Sequence, residues 1–225
     1  MGPIDRRERE KEKLKKEILD AARYLFARDG YDSVTMRAIA ERIEYSPRTI
    51  YLHFKDKEDL IRELCQHDYS EFGKGFAKLA AEKDPVQRLK GLGLAYARFA
   101  EDFPNHYRLM FMSDSPDYEG KGEEEWKGNP EMDAYAFLLG TAAEAIATGR
   151  LHPVYKDAEL LAQTMWAGIH GVLALHFSKC HDPWVKWRSL KKRVKTMVDL
   201  QVDGLLAEPV KPAKHPKPSL GKKGS

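Results

Sequence analysis

The 225-residue sequence has only two cysteines, Cys65 and Cys180, which excludes a disulfide-stapled scaffold and indicates a reducing compartment. It begins with alternating Arg, Lys and Glu and has no apolar signal segment. Its longest near-apolar run, Met165 to Phe177, contains two histidines and is shorter than the roughly 18–20 residues of a membrane-spanning helix. We therefore expect a cytoplasmic protein with no membrane partner.

Enzyme motifs are also missing. The sequence contains no nucleophile elbow, no phosphate-binding loop, no dinucleotide fingerprint and no zinc-protease helix motif. His176, Cys180 and His181 include one i, i+4 pair of possible metal ligands, but no second ligand pair accompanies them. We predict that the chain is not an enzyme and that it has no metal and no cofactor.

Two-residue alternation of apolar side chains is nearly absent, while helical periodicity runs through most of the chain, which predicts an all-α fold. Apolar residues from Leu14 to Phe26 form one helical stripe that ends before Gly30. Thr35, Ser46 and Asp56 are good N-caps for three further helices. The later helices are predicted at roughly 56–81, 85–102, 104–112, 131–148, 157–179 and 184–206.

Two segments interrupt the helical pattern. Residues 113–130 are rich in Gly, Pro and acidic residues and exceed the usual loop length, so this segment is either a lid or disordered. Residues 207–225 contain Pro, Lys and Gly with almost nothing apolar, which predicts a flexible basic tail. The basic charge is concentrated at the two ends of the chain, where it either contacts phosphates or is simply solvated.

The segment from Thr35 to Phe54, TMRAIAERIEYSPRTIYLHF, has the pattern of a helix-turn-helix. A short helix is followed by a turn of about three residues and by a second helix that Ser46 caps. Ile50 and Phe54 give the second helix an inward face, while two tyrosines, an arginine and a threonine are left for the outside. A recognition helix needs such groups in a major groove; the alternative is a helical hairpin that only packs.

At these residues the sequence resembles the TetR-type bacterial transcriptional regulators. The stretch ILDAARYLFARDGYDSVTMRAIAERI is similar to the first two helices of that family, and SPRTIYLHFKDKEDLI to its recognition helix and fourth helix. The resemblance implies a DNA-binding domain at 12–72, followed by a ligand-binding and dimerisation domain at 73–206.

The resemblance also implies roles for individual residues. Thr35 and Arg37 would contact phosphates, and Tyr51, His53 and Lys57 would clamp the DNA backbone. The residues implied in the major groove are Tyr45, Ser46, Pro47, Arg48 and Thr49. Two positions depart from the family pattern: Glu44 stands where a turn glycine is usual, and Arg48 where a small residue is common, so the turn geometry and the target of Arg48, base or phosphate, stay open.

In the second half, FPNHYRLMF at 103–111 and WAGIHG at 166–171 resemble a TetR C-terminal subtype with a Trp-His-Gly signature. Large soft side chains and a few polar tips are typical of ligand sites, although each one is also a candidate core residue, and His170 equally a structural histidine. The predicted ligand-binding residues are Phe103, Tyr107, Phe111, Trp126, Met165, Trp166 and His170.

The last two helices are predicted to form the homodimer contact that the resemblance implies, because an apolar face runs along them. This face consists of Trp187, Leu190, Val194, Met197, Val202 and Leu205. The reading that these observations favour is a repressor of transcription that binds operator DNA as a homodimer and is released by a small apolar or amphipathic ligand. The alternatives are a dimeric DNA-binding regulator without a ligand, and a small-molecule-binding or enzymatic helical protein.

Overall fold

The computed structural model describes residues 3–112, 128–129 and 133–207. Over these ranges the chain forms nine α-helices and no strand, as the periodicity predicts. The helices are α1 (Pro3–Asp29), α2 (Met36–Arg42), α3 (Pro47–Tyr51), α4 (Lys57–Ala77), α5 (Pro85–Asp102), α6 (Pro104–Met112), α7 (Ala134–Ala147), α8 (Ala158–Lys179) and α9 (Leu190–Leu205). The tail beyond Ala207 and most of 113–130 lie outside the described residues.

The three predicted N-caps are confirmed. The hydroxyl of Thr35 accepts from the Ala38 amide at 3.1 Å, that of Ser46 from the Thr49 amide at 3.3 Å, and the Asp56 carboxylate from the Asp59 amide at 2.7 Å. Each of these bonds satisfies an amide that has no partner inside its own helix.

The turn between α2 and α3 is tight because Glu44 adopts a left-handed backbone, with φ of 61°. The Tyr45 amide donates to the Ala40 carbonyl at 3.0 Å and the Glu44 amide to the Glu41 carbonyl at 3.2 Å, which together form a Schellman motif. Glycine adopts this conformation without strain, whereas a residue with a Cβ does not. The turn therefore keeps the geometry expected with glycine, and Glu44 is strained within it.

Two helix starts differ from the sequence-based expectation. Helix α1 begins at Pro3, so the charged N-terminal segment continues the apolar helix instead of preceding it. Helix α9 begins at Leu190, later than the predicted 184, because 182–189 forms turns and extended backbone after Pro183. Trp187 therefore lies before α9, and its spacing from the later apolar residues does not place it on their helix face.

The first hydrophobic core joins α1 to α4. Ile18, Phe26, Ile39, Ile50 and Phe54 are all buried in it. Ile50 anchors the inner face of α3, and Phe54, three residues beyond the end of this helix, is buried in the same core, so both predicted inward positions are confirmed and the outer face of α3 stays in solvent.

The remaining helices, with the end of α4, surround two further cores, to which α5, α8 and α9 all contribute. The prediction that the α9 apolar face contacts a partner is wrong for most of its residues, because the chain covers them itself. Leu190, Val194, Val202 and Leu205 are each less than 10% exposed within the monomer. Helical periodicity identifies an apolar face but not the neighbour that covers it.

A buried ion pair between α1 and α4 is joined by a histidine of α6, which belongs to the second half of the molecule. Arg23 on α1 donates to Asp68 on α4 through Nε at 3.0 Å and Nη2 at 2.7 Å, and Nδ1 of His106 on α6 lies 2.9 Å from the same carboxylate. Burial by itself disfavours the ionised Asp68 carboxyl, but hydrogen bonds from His106 and Arg23 outweigh it and hold its pKa below the ordinary value.

We expect Glu44→Gly to raise the free energy of unfolding by about 0.5–1 kcal/mol, because relief of left-handed strain exceeds the entropy that glycine adds to the unfolded chain. The control is Glu41→Gly, on the exposed surface of α2, which is expected to lower stability by about 1 kcal/mol. Urea unfolding measures both, and a Glu44→Gly variant as destabilised as the control would contradict the strain assignment.

We expect Asp68→Asn to lower the free energy of unfolding by about 3–5 kcal/mol, because it leaves the buried Arg23 guanidinium without its counter-charge. Asp20→Asn removes the exposed partner of the same arginine and is expected to cost less than about 1 kcal/mol.

The Asp68 contribution should depend on pH. Since its folded pKa is depressed, the stabilisation is present above the unfolded value of about 4 and is lost as the pH falls through the folded pKa. The stability difference between the wild type and Asp68→Asn should therefore shrink below pH 4, and a constant difference would contradict an ionised Asp68.

Candidate functional site

The outer face of α3 is the most exposed aromatic and basic surface of the helix-turn-helix. Tyr45 and Tyr51 are 45% and 54% exposed, and Pro47 and Arg48 are also exposed. With the inner face held in the core, these side chains point away from the molecule. Aromatic and guanidinium groups in this position can reach base edges and phosphates.

The hydroxyl groups at the start of α3 are partly occupied. Ser46 Oγ lies 3.0 Å from Thr49 Oγ1 and also caps the helix. Thr35 is similarly occupied by its capping bond, while the Arg37 guanidinium is exposed and pairs with Glu41, at 2.8 Å on the same helix. A surface pair of this kind is weak and separates readily when a phosphate approaches.

His53 lies behind this face and is half-buried. Its Nδ1 has no hydrogen-bond partner among the described residues, and burial, with Lys11 and Lys15 nearby, lowers the pKa of the imidazole. A neutral His53 can donate one hydrogen bond to a phosphate but brings no charge to it.

The structure gives Lys57 a role that argues against the implied phosphate contact. Its Nζ donates to the carbonyls of Tyr31 at 2.7 Å and Val34 at 3.0 Å, and it lies 4.0 Å from the centre of the Tyr31 ring. The ammonium therefore ties the start of α4 to the loop between α1 and α2. It holds the helix-turn-helix together and does not project from it.

A cavity of about 250 Å³ lies between the end of α4 and helices α5, α7, α8 and α9, with α6 closing one side. Phe111, Met165 and Trp166 line it, as the sequence predicts. Tyr135, one of the large side chains that the sequence offers for a ligand site, also lines it, and the polar lining residues Asp133 and Gln201 carry no sequence signal that distinguishes them from ordinary surface residues. Its other lining residues are Phe72, Phe76, Leu89, Leu92, Gly93, Tyr96, Ala134, Leu138, Ile169 and Val198.

His170 and Tyr107, predicted to orient a ligand, do not line the cavity. His170 Nδ1 lies 2.8 Å from the hydroxyl of Tyr107 and 3.0 Å from that of Tyr96. Burial lowers the pKa of His170 and raises that of Tyr107 to about 12, so both groups are neutral at pH 7. His170 lies on nearly the same side of α8 as Trp166, but its imidazole contacts these two tyrosine hydroxyls and lies outside the cavity lining.

The two remaining predicted ligand residues do not contribute to the described cavity. Phe103 is 39% exposed and packs against His106 and Phe99 at the start of α6. Trp126 lies outside the described residues, as does nearly all of the 113–130 segment expected to roof the site.

Helix α8 has an apolar surface that the monomer leaves open. By length and composition alone, it is the one helix in the described part of the chain that could cross a membrane. The near-apolar run from Met165 to Phe177 seen in the sequence is shorter than such a span. Only 28% of the most apolar stretch of this helix is buried within the monomer. Leu160, Ala167 and Leu175 lie on its exposed side, and Leu200 of α9, beside it, is 68% exposed. In the described residues no group of three or more His, Cys, Asp or Glu side chains could hold a metal ion.

Two family models match consecutive parts of the chain. The model described as bacterial regulatory proteins, tetR family, matches residues 18–64, and the tetracyclin repressor-like C-terminal domain matches residues 89–186. The first match spans α2 and α3 with their flanking helices, and the second spans most of the cavity. The Trp-His-Gly subtype stays a prediction.

Curated relatives match over a limited stretch. The transcriptional regulator UidR of Escherichia coli K12 is 32% identical over 84 residues, which are 37% of this chain and 40% of that protein. The repressor AcnR of Corynebacterium diphtheriae is 33% identical over 78 residues, which are 35% and 39% of the two chains. The aligned stretch thus spans about 40% of the length of these relatives, which are regulators and not enzymes.

A solved structure of a TetR family transcription regulator from Marinobacter aquaeolei matches 90% of this chain and 100% of its own, with a TM-score of 0.68 and 17% identity. This likeness shows a shared fold. The two family models show a TetR-family helix-turn-helix domain at residues 18–64 and a tetracyclin repressor-like C-terminal domain at residues 89–186.

Proposed function

We propose that the protein is a dimeric, DNA-binding repressor of transcription that a small ligand releases from its operator. The observation that carries the proposal is the two-sided packing of α3. Ile50 is fully buried while Tyr45, Arg48 and Tyr51 are presented to solvent on a rigidly capped helix. The aligned relatives named as regulators support DNA binding, with 12–72 as the DNA-binding unit and 73–206 as the regulatory one.

The DNA contacts that we propose follow the exposed groups. Tyr45, Pro47, Arg48 and Tyr51 face the major groove, Arg37 and the basic start of α1 reach phosphates, and Ser46, Thr49 and Thr35 mainly hold helix ends. Lys57 acts indirectly by fixing the fold. A footprint on promoter DNA, beginning with the sequence around the protein's own gene, tests the proposal directly.

The partner surface that we propose is the exposed stripe of α8 with the adjoining side of α9. Small residues between Leu160 and Leu175 allow a second helix to approach closely, and a two-fold axis there would pair α8 and α9 with their counterparts. Helices this apolar are unfavourable in water without a partner. Two recognition helices then sit at a fixed spacing, which must match half-sites about one helical turn, or a multiple of it, apart.

The cavity supports the ligand-responsive version over a ligand-free regulator. It is enclosed mainly by apolar side chains, as small-molecule sites usually are, and α6 joins its wall to the buried Asp68 contact. A ligand that binds one shape of this cavity better shifts the dimer between two half-site spacings. Operator affinity should then fall as the cavity fills.

We expect Arg48→Ala to weaken operator binding by about 1–3 kcal/mol at one base position and to relax the preference there, because arginine reads guanine with two hydrogen bonds. The matched variant is Arg37→Ala, which should weaken binding to all operator sequences alike. The slope of the logarithm of the binding constant against the logarithm of the salt concentration should become shallower by about 0.9 for each phosphate that is no longer neutralised. Binding to a panel of single-base operator variants at several salt concentrations separates the two. A uniform loss for Arg48→Ala would assign it to a phosphate.

We expect Leu175→Glu to convert the protein to monomers in sedimentation and to abolish binding to a full operator, because it places a charge in the apolar α8 contact. Leu52→Glu, at a more exposed leucine of the helix-turn-helix (74% against 49% for Leu175), should leave the dimer intact. Val194→Glu should unfold the chain instead, since Val194 is core. A dimeric Leu175→Glu variant would place the interface elsewhere.

A further inference from the structure

The cavity wall is rich in aromatic rings and carries a single charged group. Phe111 lies edge-on to Trp166, with ring centres 6.1 Å apart, and Tyr135 lies 6.1 Å from Trp166 on the other side. Among the described lining residues Asp133 is the only one with a carboxylate side chain, and none is Lys, Arg or His. The wall therefore combines ring faces, which are electron-rich, with a carboxylate.

Apart from the indole N–H of Trp166, the polar side chains of the described wall offer mainly acceptors to a ligand. Both amide hydrogens of Gln201 are used, because Nε2 donates to the carbonyls of Thr164 at 3.1 Å and Met165 at 3.2 Å. Gly168 makes this possible, since a Cβ there would clash with the Gln201 amide nitrogen. The Gln201 carbonyl oxygen is the atom left for a ligand.

The N-terminus of α7, which would otherwise attract an anion, is already occupied. One Asp133 oxygen accepts from the amides of Tyr135 at 2.9 Å and Ala136 at 3.2 Å, and the other accepts from Gly128 at 2.9 Å. The end of this helix thus presents a carboxylate to the cavity instead of free amide groups.

A second carboxylate reinforces this polarity. The Tyr135 hydroxyl donates to Glu159 at 2.5 Å, which leaves that hydroxyl unable to donate to a ligand. The other tyrosine hydroxyl of the lining, that of Tyr96, lies 3.0 Å from His170 behind the wall. Within the described wall, a ligand carboxylate would therefore meet the Asp133 carboxylate, with Glu159 behind Tyr135 and the Trp166 indole N–H as the one side-chain donor, whereas a cation would meet aromatic faces and a carboxylate.

We infer that the cavity selects a compact hydrophobic cation, such as an aryl or alkyl quaternary ammonium, and discriminates against carboxylates. This inference rests on the proposed ligand response and narrows its chemical class. Ring faces of Trp166, Tyr135 and Phe111 attract the ammonium by cation–π contact, and Asp133 supplies the counter-charge. The apolar remainder of the wall holds the uncharged part of the molecule.

The test compares three probes of one shape by calorimetry: para-(trimethylammonio)benzyl alcohol, its uncharged isostere para-tert-butylbenzyl alcohol, and para-tert-butylbenzoate. We expect the ammonium compound to bind about fivefold or more tightly than the isostere, and the benzoate to bind most weakly. Equal affinity for the cation and the isostere, tightest binding of the benzoate, or no binding of any probe would overturn the inference.

The decisive variant is Asp133→Asn, because asparagine caps a helix as well as aspartate does and removes only the charge. It should lower the affinity for the cation several-fold and leave that for the neutral isostere within about twofold. Glu159→Gln, outside the wall, gives a smaller loss of the same kind and keeps the test valid if Asp133→Asn does not fold. An unchanged cation preference in both variants would overturn the role of the carboxylates.

Operator binding is measured separately on the same samples. If the cation binds but leaves operator affinity unchanged, the ligand response proposed above fails while the selectivity of the cavity stands. If promoter DNA is not bound even without ligand, the DNA-binding proposal fails and the calorimetric result still decides the cavity.

Discussion

The ion pair between Arg23 and Asp68 is the contact on which the arrangement of the whole molecule depends. It is almost fully removed from water, so neither partner can leave without exposing an uncompensated charge to an apolar environment. Since Arg23 belongs to α1 and Asp68 to α4, the pair fixes α1 against the long helix that continues into the cavity half. His106 brings α6 to the same point. Any shift of α6 is therefore felt where the two halves meet.

The DNA-facing surface and the cavity differ in how the chain prepares them. At α3, caps and two buried anchors hold a short helix that could not persist alone, and this rigidity leaves the outer side chains free for contacts. At the cavity, the Tyr135 hydroxyl and the Gln201 amide donate to groups within the protein, so hydrogen bonds inside the protein decide which polar atoms remain for a ligand. Gln201 donates its amide hydrogens to two backbone carbonyls, and Asp133 accepts from the backbone amides at the start of α7.

The sequence predicts the helix-turn-helix well because its signals are local: Thr35, Ser46 and Asp56 cap helices within three residues of themselves. It predicts the C-terminal half less well because the missing information is spatial. The sequence predicts an apolar contact for Val194 but does not show whether its neighbour is α5 or another subunit. It predicts a ligand contact for His170, and only the structure shows that Tyr107 and Tyr96 lie beside it. The contact of Gln201 with α8 depends on Gly168, far earlier in the chain, and no periodicity shows it.

Helix α6 belongs to two cores at once: Leu109 is buried in the helix-turn-helix core, and Phe111, two residues later, lines the cavity. This shared membership restricts how such a protein can diverge in evolution. A change in α6 that reshapes the cavity also perturbs the packing under the helix-turn-helix, whereas a change at Tyr135 or Trp166 does not. New cavity shapes should therefore arise on α7 and α8, with α6 held nearly constant among descendants that keep the same helix-turn-helix.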